Sequence, residues 1–258
     1  MKKLAVALAA TLAILSAKPT ETKRHFEQYF QPTHGDTITI HKTDSMRVFL
    51  KNAGWDGTFE SLMKTINDIR FPDGYDENDN NYDWLDAINY GGVCIHGSIF
   101  LYTALKTAGF SPVMGIIRGC FVELDKKGDV VRISAGLVPE NESHMVCFVE
   151  KNGKVYAGSQ GLEEVKGDTV DLGLTIWHFG SEYKNVMIYP LLTYWPKGAA
   201  FGDNVLPGYI DYLFKNGMFI KINTDGFSSS DWQNIWPDVV KYLKKGCMVV
   251  FTRGEPKW

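Results

Sequence analysis

Cys94 stands two residues after the Gly91-Gly92 pair and at the front of an apolar run, CIHGSIFLYTAL, whose spacing predicts a helix over Val93 to Ala108. A cysteine in the first turn of a helix faces backbone amides without intrahelical partners and the positive end of the helix dipole. Both favour thiolate over thiol. Nucleophilic acyl chemistry also needs a base, and the chain has six histidines. His144 opens the strand-like run HMVCFVE, which would hold its ring beside a helix end, and a paired imidazolium would lower the thiol pKa further. His96 follows Cys94 by two helical positions, about 200° around the axis, and so does not share its face. His178, in TIWHFG, has no supporting pattern. Against chemistry stands ordinary packing, since helical cysteines are commonly small buried hydrophobes and strand-end histidines are commonly surface or satisfied core residues.

Positioning elements can be read around these residues. FESLMKTINDI carries apolar residues at Phe59, Leu62, Met63, Ile66 and Ile69, which predicts a helix beginning near Thr58. Trp84 to Ile88 gives a short helical turn broken by Gly91-Gly92, and Gly109 occupies a helix-stop position ahead of the strand-like VMGII. LDKKGD reads as a hairpin turn, as does Lys151-Asn152-Gly153 between the runs beginning at His144 and Lys154. Further on, GMFIKI and CMVVFT read as strands, and Pro237 to Lys245 as a helix stopped by Gly246. TITI, from Thr37, alternates like a strand. The acidic segment FPDGYDENDNNYD reads as a solvated loop, because it lacks the glycine and terminal glutamate of a calcium loop.

The bounds are those of a globular protein. The chain has 258 residues and is 45% hydrophobic, with 27 basic against 30 acidic residues and a net charge of -3. Nothing in that balance forms a footprint for nucleic acid. The segment MKKLAVALAATLAILSAKPT runs from charge through an apolar stretch to Ser16-Ala17, the layout of a secretory leader cut after Ala17. An exported product follows, with no stable membrane span once the leader is removed. Of the four cysteines, Cys120, Cys147 and Cys247 fall in or beside strand-like runs, so a free Cys94 leaves at most one disulfide. No His/Cys set has zinc spacing, and neither metal nor cofactor is expected. Trp177, Trp195, Trp232 and Trp236 read as core rather than as a ligand platform.

Residues 83–119, DWLDAINYGGVCIHGSIFLYTALKTAGFSPVMGIIRG, resemble the core of the transglutaminase-like superfamily, whose signature is Gly-x-Cys at a helix start. Gly92 and Cys94 match it, followed by Gly109, Phe110 through Val113, and Gly119. A second block, HMVCFVEKNGKVYAGSQ at 144–160, is similar at His144 and at the Asn152-Gly153-Lys154 hairpin. It departs where the family usually has aspartate, with Ser159 and then Gln160, and at Val155 in place of a frequent tryptophan. The resemblance implies an α+β, papain-like core with the catalytic helix packed on an antiparallel sheet. It further implies that Cys94 attacks an amide or ester carbonyl, that His144 protonates the leaving amine, and that Ser159 or Gln160 orients the imidazole. The Cys94 amide would hold the oxyanion, with Asn89 as a second donor on proximity.

The expected division is a leader at 1–17, an N-terminal arm and strand at 18–58, a core at 59–190 and a C-terminal α/β extension at 191–258. The expected activity is that of an exported cysteine-dependent amide hydrolase or acyl transferase acting on protein or peptide, cell-wall peptide included. Two alternatives differ in kind. An NlpC/P60-type cell-wall endopeptidase would carry a further polar or histidine residue where Tyr156 stands. A non-catalytic binding or structural module would keep the fold after losing the aspartate.

Overall fold

A computed structural model describes residues 43–72, 84–92, 94–119, 121–127, 130–134, 144–166, 169–171, 176–178, 185–190 and 213–252. The leader, the arm as far as residue 42 with its TITI strand, most of the acidic segment, Cys120 and Trp195 lie outside the described residues. The chain runs α1 (Thr43–Asn52), α2 (Phe59–Asp68), α3 (Trp84–Tyr90), α4 (Cys94–Thr107), β1 (Val113–Gly119), β2 (Phe121–Leu124) and β3 (Val130–Ser134). It continues through β4 (His144–Lys151), β5 (Lys154–Gly158), β6 (Glu163–Glu164), β7 (Thr169–Asp171), β8 (Ile176–His178), β9 (Asn185–Pro190), β10 (Phe219–Asn223), α5 (Ser229–Lys244) and β11 (Met248–Thr252).

The main sheet has seven strands in the order β10-β11-β9-β1-β4-β5-β6. Alternation of side chains sorts its strands onto two faces. Met114 and Ile116, Met145, Cys147 and Val149, Met187 and Tyr189, and Met248 and Val250 form one apolar cluster with α1, α2, α3 and α4. Their neighbours Val113 and Ile117, Val146 and Phe148, Val186 and Ile188, and Val249 and Phe251 form another with α5. The protein is therefore α+β, with helices on both faces of the sheet. The expected antiparallel sheet is mixed, because β10 and β11 pair in parallel across α5 while the other ladders of the main sheet are antiparallel. Residues 219–252 add to the core sheet through the β11–β9 ladder.

Helix α4 is buried all round between His96 and Leu105, since α1 and α3 cover the sides that β4 leaves open. Helix α2 starts where Thr58 caps it: Ser61 N–H donates to Thr58 Oγ1 at 3.2 Å, and Phe59, Leu62 and Ile66 turn inward. The β4–β5 hairpin turns on Asn152 (φ 54°) and Gly153 (φ 75°), two left-handed residues matched to strand twist. Two helices depart from the sequence reading. Helix α1 replaces expected arm, its Met46 and Leu50 buried on one face. Helix α5 begins eight residues ahead of Pro237, at a capping box in which Ser228 and Asp231 satisfy each other's amides, and it contains Pro237.

Candidate active site

Cys94 is the first residue of α4 and is partly exposed. Its Sγ accepts a hydrogen bond from Met145 N–H at 3.5 Å. Two covalent bonds separate that nitrogen from the Cα of His144, which therefore lies within about 6 Å of the sulfur. His144 opens β4, opposite Ile117 of β1, and is buried. Strand alternation puts its Cβ on the side of Val146 and Phe148, whereas Met145 shares the face of α4. The structure thus brings the strand start, rather than one flat face, to the sulfur.

The expected low-pKa thiolate is not what this environment produces. Burial pushes the Cys94 thiol above its ordinary value, and the amides of Met145, Ile95 and Cys94 itself pull the other way without prevailing. The hydrogen bond on the sulfur comes from the strand amide of Met145. Burial thus favours the thiol over the thiolate at Cys94.

Ser159 and Gln160 follow β5 directly, and the structure holds this segment against α4. A Cβ on Gly97 would collide with the Ser159 carbonyl oxygen and lie 3.0 Å from Gln160 Cγ. Gln160 Nε2 donates to Gly92 O at 3.4 Å, joining the segment to the chain that leads into Cys94. Asn67 of α2 grips its far end in both directions, with Nδ2 donating to Leu162 O at 3.0 Å and Leu162 N–H donating to Oδ1 at 2.8 Å. Gln160 thus reaches the Cys94 approach through main chain. Ser159 is fully buried.

Asn89 is exposed in the last turn of α3, with the glycine pair between it and Cys94. Gly92, at φ 148°, faces the ring of His96, which a Cβ would meet at 2.5–2.7 Å. His96 is accordingly a buried packing partner of the Gly92 turn. His178 lies in β8, its side chain outside the described residues.

Cys94, Cys147 and Cys247 are thiols. Cys147 is fully buried beneath α4, which raises its pKa, and Tyr102 beside it is pushed up to about 12 by burial and by Cys147. Trp232 and Trp236 are core: Trp236 stacks on Phe148 and lies tilted against Phe251, while Trp232 packs edge-on to Phe227 and tilted to Phe251. Sequence reasoning missed Ser98 and Asn67, which bind main chain 47 and 95 residues away. The glycine at position 97, inside an otherwise apolar helix, was the one local signal that something packs there. Among the described residues no group of His, Cys, Asp and Glu could hold a metal ion, and no helix is long and apolar enough to cross a membrane. No protein-family model matches the chain, and no curated protein is similar to it.

Proposed function

We propose that the chain is an exported cysteine-dependent amide hydrolase or acyl transferase with a papain-like, transglutaminase-like core, acting on protein or peptide substrates such as cell-wall peptide. One observation carries the reading: Cys94 heads a buried helix with its sulfur on the amide next to His144, at a sheet end where β5 has already stopped. In this reading the imidazole reaches the sulfur around that strand end.

Sγ attacks the carbonyl carbon as its proton passes to His144, and the new S–C bond is balanced by a C=O pair moving onto oxygen. Collapse of the tetrahedral species breaks the C–N bond, and His144 returns the proton to the leaving amine. Water or a second amine then attacks the thioester and frees Cys94. Gln160 keeps the approach to Cys94 in place through the Gly92 carbonyl. With burial pushing the thiol up, attack by Sγ calls on His144 as a general base.

The test is acyl-enzyme formation by the chain from Lys18 onward, presented with p-nitrophenyl acetate and with a peptide thioester, followed by intact-mass and peptide spectrometry. An acyl group on Cys94 that hydroxylamine releases, and that fails to form in Cys94→Ser or His144→Ala, is the expected result. Acylation elsewhere, or none, returns the chain to a non-catalytic binding module.

A further inference from the structure

Cys94 and Ser98 lie one turn apart on α4 and take both polar groups of a single residue of β4. Met145 N–H donates to Cys94 Sγ at 3.5 Å, and Ser98 Oγ donates to Met145 O at 3.0 Å. The ladder explains why these groups are available. β5 accompanies β4 only as far as Gly158 opposite Cys147, so Met145 lies beyond its end. The next residue, Ser159, turns aside to pack its carbonyl against Gly97. In an antiparallel sheet the N–H and C=O of one residue point the same way, and here a cysteine and a serine of the helix stand where a strand partner would.

We propose that Ser98 is a positioning residue for Cys94: its hydroxyl anchors the Met145 peptide so that the Met145 N–H stays on the sulfur. The inference rests on the reading above only in naming Cys94 the nucleophile. The hydroxyl is fully buried, so its bond is not exchanged for one with water. Removing it would orphan the Met145 carbonyl, and that peptide would turn to find another donor, taking its N–H from the sulfur. Besides Cys94 itself, the titratable side chains described on the elements around the sulfur are Tyr90 on α3, His96, Tyr102 and Lys106 on α4, His144, Cys147, Glu150 and Lys151 on β4, and Lys154 and Tyr156 on β5. All remain in place in the two Ser98 variants below.

Cys94 alkylation by iodoacetamide is followed against pH in the full chain, with site assignment by peptide mass spectrometry, for the wild type, Ser98→Ala and Ser98→Thr. The Met145 amide favours thiolate, so Ser98→Ala is expected to raise the labelling midpoint by about half a unit, about threefold less thiolate at a fixed lower pH. Threonine, which keeps the hydroxyl, is expected to restore it. A Ser98→Ala protein with a lower Tm and an unmoved midpoint reduces Ser98 to packing and overturns the proposal. If Ser98→Ala does not fold, amide exchange in the wild type decides: Met145 is expected to be protected like the rest of β4, and free exchange overturns the clamp. His144→Ala run alongside keeps the two readings apart, since a profile indifferent to His144 sinks the catalytic pair and leaves the Ser98 result standing.

Discussion

Gly97→Ala separates local propensity from the packing described here, because the two give opposite signs. Within a helix, alanine is favoured over glycine by about 0.8–1 kcal/mol, so propensity alone makes this change stabilising. The structure points the other way. A built Cβ overlaps the Ser159 carbonyl oxygen and sits 2.9 Å from its carbon and 3.0 Å from Gln160 Cγ. A relaxed carbon–oxygen contact is about 3.3–3.6 Å. The Ser159 main chain would have to retreat by over an ångström, and Asn67 holds the same segment by two bonds at Leu162. A main-chain shift of this size belongs at the upper end of the about 1–3 kcal/mol that overpacking typically costs, which outweighs the propensity gain for a net loss of about 2 kcal/mol. Urea unfolding of the full chain reads this directly, and a parallel thermal scan should show a fall of roughly 2–4 °C per kcal/mol. A variant equal to or more stable than the wild type would refute the placement of Ser159 on α4, and with it the tie between this segment and the Cys94 helix.

Asn67→Ala removes both bonds to Leu162 and should cost about 1–3 kcal/mol in urea unfolding, while loosening Gln160 enough to speed proteolysis near residue 160. The Asp231 carboxyl is held below the usual carboxylate range by the Ser228 hydroxyl and then the Ser228 amide. A depressed folded pKa contributes stability above the unfolded value, about 3.9, that is lost as pH falls through the folded pKa. The stability difference between wild type and Asp231→Asn should therefore be full at pH 6 and shrink on acidification below about pH 4, which unfolding curves across that range will show.

Much of the frame around Cys94 was legible because its signals are local. Thr58 before a 3.6-period pattern, Asn152-Gly153 between two runs, and Gly109 after an apolar helix each act within a few residues. Helix α1 was hidden by the neighbouring TITI alternation, although Met46, Phe49 and Leu50 already had helical spacing. The start of α5 was misplaced because Pro237 reads as a first-turn proline; the pairing of Ser228 with Asp231 three residues on marked the true start. Sheet order left no local trace, since β11 joins β9 across two intervening elements. The site divides the same way. Cys94 and His144 stand out by type and position. The upward shift of the thiol, the use of the Gly92 cradle by His96, and the grips of Ser98 and Asn67 on distant main chain arise from burial and long-range contact.

The central claim is that Cys94 reacts through His144. Its most direct test is the rate of Cys94 alkylation from pH 6 to pH 10 in the wild type and in His144→Ala. Losing His144 is expected to slow labelling about tenfold or more near neutral pH, where a thiol pushed up by partial burial needs a base, and to leave the alkaline plateau unchanged. Superimposable profiles in the two proteins would contradict it.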